Sequence, residues 1–323
     1  MKILLISYGS IGERHYKNLK QLVPKSEIKI LRTKNKKNFT KNGVNEIEAR
    51  KFNPHLVVIN SPANKHFYYY KKFYDARRSF FIEKPIDSNS KNFDKKYLRK
   101  KTNFLMVGYI LRFDHVLKKI NEIVKRELFG KVYLVDIKVG QFLPDWRKNK
   151  DYRKGVSAQK KLGGGVLLEL SHEIDYATWI FGFPKKIFGV FKKITNLKID
   201  VEDCAQLIFE YPKKLIQLSM DFIQQVPKME IKIVFSKATL YADLINQKLH
   251  YFDKKNPKGK QIKIKNFKTY NEVYLRQMDF LLYKSFKNYK PSFKETFKFK
   301  SFANLESSLK VLKLVDLIKK KRK

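Results

Sequence analysis

Short apolar runs alternate with helical stretches along the first third of the chain. The runs that predict strands are Ile3–Ile6, Ile28–Leu31, Leu56–Ile59, Phe80–Ile82 and Phe104–Val107. Between them, the stretches from His15 to Leu22 and from Phe67 to Arg77 have the apolar spacing of helices. Continuous apolar strands that alternate with helices are typical of a parallel sheet covered on both faces, with right-handed crossovers. The pattern therefore predicts an α/β domain built on a doubly wound parallel sheet.

The hydrophobic pattern changes in the second half of the chain, where apolar and polar residues alternate. The alternating segments are Tyr133–Val139, Ala205–Tyr211, Leu215–Phe222 and Glu230–Phe235, and helical patterns follow at Glu272–Tyr283 and Leu305–Lys319. Alternation predicts strands of a mainly antiparallel sheet with one face open to solvent. We therefore expect a doubly wound domain over residues 1–120 and an α+β domain over residues 121–323, with the cleft between domains as the default site.

Charge and cysteine content narrow the range of functions. The chain has 323 residues, of which 71 are Lys or Arg and 30 are Asp or Glu, giving a net charge of +41. Such an excess would suit a nucleic-acid binder, but it is mostly Lys, is spread along the whole chain and comes with abundant Asn and Ile. We therefore attribute it to composition. One cysteine, Cys204, excludes an internal disulfide framework and a thiolate metal cluster.

The longest apolar run is too short to span a bilayer, and the first residues lack the pattern of a signal peptide. We therefore expect a cytoplasmic protein with no membrane, nucleic-acid or metal partner.

A glycine turn after the first apolar run carries the first candidate chemistry. Residues 7–12 have the spacing of G-x-G-x-x-G, with Ser7 in place of the first glycine. Gly9 lets the backbone approach a pyrophosphate, Gly12 lets helix and strand pack closely, and the helix start at Ser10 and Ile11 presents N–H groups. This turn predicts a dinucleotide site of the Rossmann type, and a simple tight turn is the alternative.

The residue that selects between NAD and NADP is expected about 20 positions further on, at the end of the second strand. That position holds Arg32 and no carboxylate. An arginine there suits a 2′-phosphate, which favours NADP over NAD. The alternative is that Arg32 is one more surface cation of a basic chain.

Two further segments hold candidates for proton transfer. Lys84 stands at the carboxyl end of a predicted parallel strand, where ligands bind, and Glu83 beside it can pair with Lys84 or with a ribose hydroxyl. In the second half, a triple glycine precedes a predicted helix from Val166 to Trp179. Glu169, His172 and Asp175 recur there at three-residue steps, which predicts one shared face. His172 is the natural partner of Lys84 as a general base or acid.

These segments, in this order, resemble the Gfo/Idh/MocA oxidoreductase family. The motifs that carry the resemblance are Glu83-Lys84-Pro85, Ser61–His66, Gly108-Tyr109 with Arg112-Phe113, Gln141–Arg147, Asp151–Arg153 and Ser171–Asp175. The last three are similar to a branch found in surface-polysaccharide and sugar-nucleotide pathways. Three features depart from the family pattern. Ser7 replaces a glycine, Leu168 stands where relatives have an aspartate before the histidine, and Ser236–Leu240 stands where relatives usually have glycines.

The resemblance implies an NAD(P)-dependent dehydrogenase or reductase that acts on a sugar, polyol or sugar nucleotide. It implies that Lys84 and His172 form the proton-transfer pair. The implied cofactor contacts are Ser61, Pro62, His66, Glu83, Trp146 and Arg147, and the implied substrate contacts are Arg112, Arg153, Glu169 and Asp175. Relatives are commonly dimers or tetramers, so we expect a homo-oligomer. A non-catalytic NAD(P)-binding regulatory protein is the alternative, but mere cofactor binding requires neither Lys84 nor His172.

Overall fold

The computed structural model describes residues 1–31, 42–94, 96–97, 101–147, 150–298 and 301–320. The chain divides into two compact units. The first unit comprises Met1–Phe113 and Phe267–Lys313, and the second comprises Asp114–Asn266 and Leu314–Lys323. The sequence pattern gave one boundary near residue 120. In the structure the chain instead returns to the first unit at Phe267.

The strands and helices follow the predicted order closely. In chain order the strands are β1 (Lys2–Ile6), β2 (Glu27–Leu31), β3 (Gly43–Val44), β4 (Leu56–Ile59), β5 (Ser79–Ile82), β6 (Phe104–Val107), β7 (Val132–Gly140), β8 (Lys186–Lys192), β9 (Cys204–Tyr211), β10 (Lys214–Asp221), β11 (Lys228–Phe235), β12 (Thr239–Asp243), β13 (Lys248–Phe252) and β14 (Lys260–Gln261). The α-helices are α1 (Ser10–Leu22), α2 (Glu46–Lys51), α3 (His66–Phe73), α4 (His115–Lys125), α5 (Val166–Glu169), α6 (Ser171–Phe181), α7 (Asn271–Ser285) and α8 (Leu305–Lys320).

The sheet of the first unit is parallel throughout. Its strand order is β3-β2-β1-β4-β5-β6. The order reverses between β1 and β4, which is the topological switch point at which doubly wound sheets bind ligands. Every residue of β4 and β5 is buried, as expected for strands covered on both faces. The doubly wound fold predicted from the apolar runs is confirmed.

Helix α7 explains why the chain returns to the first unit. It packs on α1, and the side chains of Asn18 and Asn271 exchange hydrogen bonds of 2.9 and 3.4 Å. The buried Arg276 of α7 bonds Glu272 at 2.6 Å, one turn earlier. No local pattern marks this long-range pairing, because α7 has the apolar spacing of any amphipathic helix.

The second unit is built on an eight-stranded sheet in the order β14-β13-β12-β11-β7-β10-β9-β8. Its pairs are antiparallel except for β7 and β10, which run parallel. Along β10, Ile216, Leu218 and Met220 are fully buried, whereas Leu215 is 46% exposed. The predicted mainly antiparallel sheet with one open face is confirmed. No helix among the described residues is long and apolar enough to cross a bilayer.

One predicted helix is broken in two. The stretch from Val166 to Trp179 forms α5 and α6, which meet at Leu170 with φ −96° and ψ 29°. Glu169 therefore ends one helix, and His172 lies in the first turn of the next. The prediction of a single helix from Val166 to Trp179 was wrong, and the shared face of Glu169, His172 and Asp175 stays a prediction.

Candidate active site

The turn between β1 and α1 has the geometry of an anion-binding site. Ser7 takes a positive φ of 71°, the conformation that a glycine usually supplies. Gly9 precedes the helix, no side chain caps it, and a Cβ there would meet nothing within 4 Å. The first N–H groups of any helix, here those of Ser10 and Ile11, have no intrahelical acceptor. This helix start is therefore open to an anion.

Gly12 is required by close packing behind the same turn. A Cβ at this position would lie 2.7 Å from the carbonyl oxygen of Ser7 and 3.5 Å from Nδ2 of Asn60. The predicted roles of both glycines therefore match the geometry. Gly9 leaves open space in front of the helix, and Gly12 allows close packing behind the turn.

Buried polar groups without partners lie at the tip of β4. Asn60 and Ser61 are each only 6% exposed. Within the described part of the chain, neither amide atom of Asn60 nor the hydroxyl of Ser61 has a hydrogen-bond partner. Buried polar groups are normally satisfied, so these atoms fit a ligand that enters beside Gly12. Sequence analysis missed Asn60. Asn60 could have been found in the sequence, because it is a polar residue that directly follows the fully apolar run of β4.

A cavity of about 390 Å³ opens at the carboxyl end of β2. Its lining residues are Leu31, Asn45, Glu46, Glu48, Tyr68, Tyr69 and Lys72. The two carboxylates are engaged by the chain itself, Glu46 by Lys72 and Glu48 by the backbone N–H of Asn45. Arg32, predicted to select NADP, lies outside the described residues, so that preference stays a prediction.

Lys84 is held in place by a buried hydrogen-bond network at the end of β5. It is partly exposed, and the peptide bond to Pro85 is cis. Oε2 of Glu83 accepts the backbone N–H of Lys84 at 3.1 Å, and Oε1 lies 2.6 Å from Nε2 of the fully buried His15. A Cβ on Gly108 would lie 2.9 Å from Oε2, so the glycine makes room for this carboxylate. His15 is therefore the side-chain partner of Glu83. From the sequence, His15 was identified only as the start of a predicted helix.

His66 ties the tips of β4 and β5 together. Nδ1 lies 2.8 Å from the carbonyl oxygen of Pro85, and Nε2 lies 2.7 Å from that of Ser61. The ring is 1% exposed, and this burial lowers the pKa of His66. Both ring nitrogens lie against carbonyl oxygens of the chain, and the neutral ring donates its single N–H to one of them. His66 therefore positions the neighbours of Pro62 and Lys84, and its two ring nitrogens face the chain itself in place of the direct cofactor contact that the resemblance implied.

The glycine run in the second unit positions the segment that carries His172. Gly163 and Gly165 have φ of 85° and 101°, values that favour glycine. The carboxylate of Glu202 accepts the N–H of Leu167 at 3.2 Å, so this helix start is already occupied by an anion. His172 lies in the first turn of α6 and is partly exposed.

The carboxylates near His172 differ in exposure and in partners. Asp175, one turn further along α6, is 1% exposed. Glu169 is partly exposed, and its Oε2 accepts the hydroxyl of Ser157 at 2.8 Å. The burial of Asp175 suits orientation of its own helix more than direct contact with a sugar.

Two arginines implied as substrate contacts are bound to other parts of the chain. Arg112 is 5% exposed, and its Nη1 donates to the carbonyl oxygen of Phe302 at 3.1 Å. Arg153 binds Asp151 through Nε at 2.8 Å and Nη2 at 3.1 Å. The direct substrate role of both is therefore not supported by their contacts.

Trp146 and Arg147, implied as cofactor contacts, lie in the second unit, whereas the glycine turn lies in the first. The indole N–H of Trp146 donates to the carbonyl oxygen of Gln141 at 3.1 Å, and its ring meets Phe222 edge-on. Arg147 is exposed.

The strand order of the first unit, its glycine turn and the open-faced sheet of the second unit together define a Rossmann-type dinucleotide-binding architecture with an added α+β unit. Residues 117–241 match the model of the GFO/IDH/MocA C-terminal domain. This match agrees with the resemblance to the Gfo/Idh/MocA family that the motifs carry.

Comparisons with individual proteins agree with this assignment. The chain is 27% identical over 199 residues to myo-inositol 2-dehydrogenase of Thermotoga maritima, covering 56% of this chain and 55% of that protein. The match thus spans about half the length of that curated relative.

Two solved structures show that the fold extends over nearly the whole chain. One is the WlbA dehydrogenase of Bordetella pertussis in complex with NADH and UDP-GlcNAcA, with a TM-score of 0.75, 15% identity and coverage of 99% of this chain and 95% of that one. The other is UDP-N-acetylglucosamine 3-dehydrogenase of Acidithiobacillus ferrooxidans, with a TM-score of 0.72, 14% identity and coverage of 98% and 96%. At these identities the likeness is one of fold.

Proposed function

We propose that this protein is a nicotinamide-dependent oxidoreductase that interconverts a hydroxyl and a keto group on a sugar, polyol or sugar nucleotide. The observation that carries the proposal is the carboxyl edge of the first sheet. There an uncapped helix start, the buried unpartnered Asn60 and the amine-bearing Lys84 follow three neighbouring strands, β1, β4 and β5. Doubly wound sheets bind dinucleotides at this edge.

The residues present fit such a dinucleotide. The backbone N–H groups of residues 10–12 would hold the phosphates, with Gly9 leaving the space they need. Asn60 and Ser61 would donate to the same part of the cofactor, and the cavity beside β2 has room for an adenosine half. When bound, a nicotinamide cofactor supplies or accepts the hydride of the alcohol–carbonyl interconversion.

Lys84 and His172 handle the hydroxyl proton in this proposal. The side chain of Lys84 hydrogen-bonds the substrate oxygen. As an ammonium it would give a proton when the keto group is reduced, and as a neutral amine it would take the hydroxyl proton when the alcohol is oxidised. The backbone of Lys84 is held by its hydrogen bond to Glu83. His172, in the first turn of α6, is the second group that gives or takes this proton. The buried Asp175 orients that turn. The pairing of the two groups follows the family resemblance.

The substrate class follows from the relatives. One of them is named for myo-inositol, another for UDP-N-acetylglucosamine, and a third is bound to UDP-GlcNAcA. All three ligands carry ring hydroxyl groups. We therefore propose a cyclic polyol or sugar nucleotide as substrate, and a role in surface-polysaccharide biosynthesis from the branch that the motifs resemble.

The test removes the amine of Lys84. Wild type, Lys84→Met and the control Lys91→Met, which changes an exposed lysine beyond the site, are compared with myo-inositol and UDP-N-acetylglucosamine, following nicotinamide absorbance. NADH affinity is measured for each protein by titration calorimetry. We expect Lys84→Met to abolish turnover while NADH binding and the control stay at wild-type values. Retained turnover in Lys84→Met would refute the role of Lys84. NADH binding with no turnover by wild type on either substrate would favour the non-catalytic alternative.

We also propose that the open face of the second sheet joins two copies of the chain. Leu134, Leu215, Ile208 and Phe188 lie on four neighbouring strands, and the register places them on one face, each 44–49% exposed. A contiguous apolar stripe on a sheet face is typical of an interface. Light scattering should give a dimer or tetramer for wild type and a smaller mass for Leu215→Glu. A wild-type mass equal to one chain would contradict this proposal.

A further inference from the structure

The second unit has a cavity of its own, of about 420 Å³. Its lining residues are Leu143, Pro144, Trp146, Arg147, Lys150, Asp151, Tyr152, Lys154, Gly155 and Ser157. The volume falls within the usual range for small-molecule sites, roughly 300–1,000 Å³. The resemblance implied cofactor contacts for two of these residues, Trp146 and Arg147, whereas the proposed phosphate-binding turn lies on the first unit.

Cations dominate the charged lining of this cavity. Arg147, Lys150 and Lys154 are exposed, and none has an ion pair with a carboxylate among the described residues. The one acidic residue of the lining, Asp151, is bound by two guanidinium nitrogens of Arg153, which hold the pKa of its carboxyl below the usual range. The cavity therefore offers three positive charges to an anion, and its carboxylate is already neutralised.

Two aromatic rings add a flat surface to the same cavity. Trp146 is fixed by its hydrogen bond to Gln141 and by Phe222 behind it. The hydroxyl of Tyr152 accepts the N–H of Lys198 at 3.1 Å, so the polar end of this ring is occupied and its face remains for a ligand. Aromatic faces next to Lys and Arg are the usual combination for stacking a nucleobase and binding its phosphates.

The cavity is connected to the segment that carries His172. Ser157 lines the cavity, is 6% exposed and donates its hydroxyl to Glu169 at 2.8 Å. Glu169 ends α5, three residues before His172. A ligand anchored by the cations would thus lie against the element that holds a proposed proton-transfer group.

We propose that this cavity binds the phosphates of a sugar linked to a nucleoside diphosphate, with Arg147, Lys150 and Lys154 on the phosphates and Trp146 or Tyr152 on the base. The proposal deepens the proposed function, on which it rests for the reaction at the sugar. The same chemistry would also suit the phosphates of the dinucleotide cofactor, so the experiment separates these two sources.

The probes are UDP and NADH, each titrated calorimetrically into the full chain. The test variant is Lys150→Gln with Lys154→Gln. The control is Lys213→Gln with Lys237→Gln, two exposed lysines on hairpin turns of the same unit that lower the net charge equally. Circular-dichroism melts check that each variant is folded. We expect UDP to bind the test variant about tenfold more weakly than wild type, because charge-assisted contacts are lost. UDP affinity of the control and NADH affinity of both variants should change by less than about twofold.

Three results would overturn the proposal. These are no UDP binding by wild type, an equal loss of UDP affinity in the test and control variants, or a loss of NADH affinity in place of UDP affinity, which would assign the cavity to the cofactor. UDP binding requires no turnover. A failure of Lys84→Met to abolish activity would therefore leave this result unaffected, and the two proposals fail separately.

Discussion

Replacing Gly12 by alanine would place a methyl group against the turn that precedes α1. The added Cβ would lie 2.7 Å from the carbonyl oxygen of Ser7, whereas close carbon–oxygen contacts are about 3.3 Å or longer, so the overlap is about 0.6 Å. The carbonyl cannot easily move away. Ser7 is held at a φ of 71°, and its N–H donates to the carbonyl oxygen of Leu31 at 3.2 Å. Overpacking of this kind costs about 1–3 kcal/mol.

We therefore expect Gly12→Ala to lower both the stability of the first unit and its affinity for NADH. At about 2–4 °C per kcal/mol for a unit of this size, the melting temperature should fall by about 2–12 °C. Differential scanning calorimetry measures the first quantity, and titration calorimetry measures the second. The two losses share one cause, because the displaced backbone is the proposed phosphate-binding turn.

Gly9→Ala is the matched control. Its Cβ would meet nothing within 4 Å, and its φ of −82° suits any residue. Its stability should therefore stay within about 0.5 kcal/mol of wild type. NADH affinity should nevertheless fall, because the methyl group occupies the space in front of the helix start. Equal destabilisation by both variants, or unchanged NADH affinity in Gly9→Ala, would refute this account of the turn.

Two further predictions concern buried contacts. His15→Ala leaves the buried carboxylate of Glu83 without its side-chain partner and should destabilise the first unit by about 3–5 kcal/mol. Glu83→Gln removes that carboxylate itself and should cost less. Denaturant titration compares the two variants, and equal losses would argue that the unpaired carboxylate is not the cause. Gly165→Ala should destabilise the second unit by more than about 1 kcal/mol, since its φ is 101° and its Cβ would lie 2.6 Å from Glu202. Gly182→Ala, also at positive φ but with open space around its Cβ, isolates the backbone part of that loss.

Local patterns in the sequence determined most of the fold. Leu56–Ile59 and Phe104–Val107 were predicted with the bounds that the structure shows. A strand covered on both faces is apolar at nearly every position, so its sequence alone indicates it. The glycine turn could be predicted for a similar reason, because a helix start that must admit a phosphate tolerates few residues at Gly9 and Gly12.

The roles of individual polar side chains were decided by tertiary structure. His15 and Glu83 are 68 residues apart in sequence yet 2.6 Å apart in space. His66 was predicted as a cofactor contact, but its two ring nitrogens lie 2.8 and 2.7 Å from carbonyl oxygens at the ends of β4 and β5. Motif spacing shows that a polar residue is near the site, while the partner it faces depends on chain segments that only folding brings together.

The division of the chain into units was also decided by tertiary structure. The hydrophobic pattern predicted a helix at Glu272–Tyr283, which the structure shows at Asn271–Ser285. The pattern did not predict the unit on which this helix packs, since its apolar face would suit either unit. The break at Leu170 was hidden as well, because apolar spacing continues across it. The sequence thus determined which segments are buried and which secondary structure each of them forms. Packing determined which surfaces they meet, because long-range contacts depend on shape and on the full set of available partners.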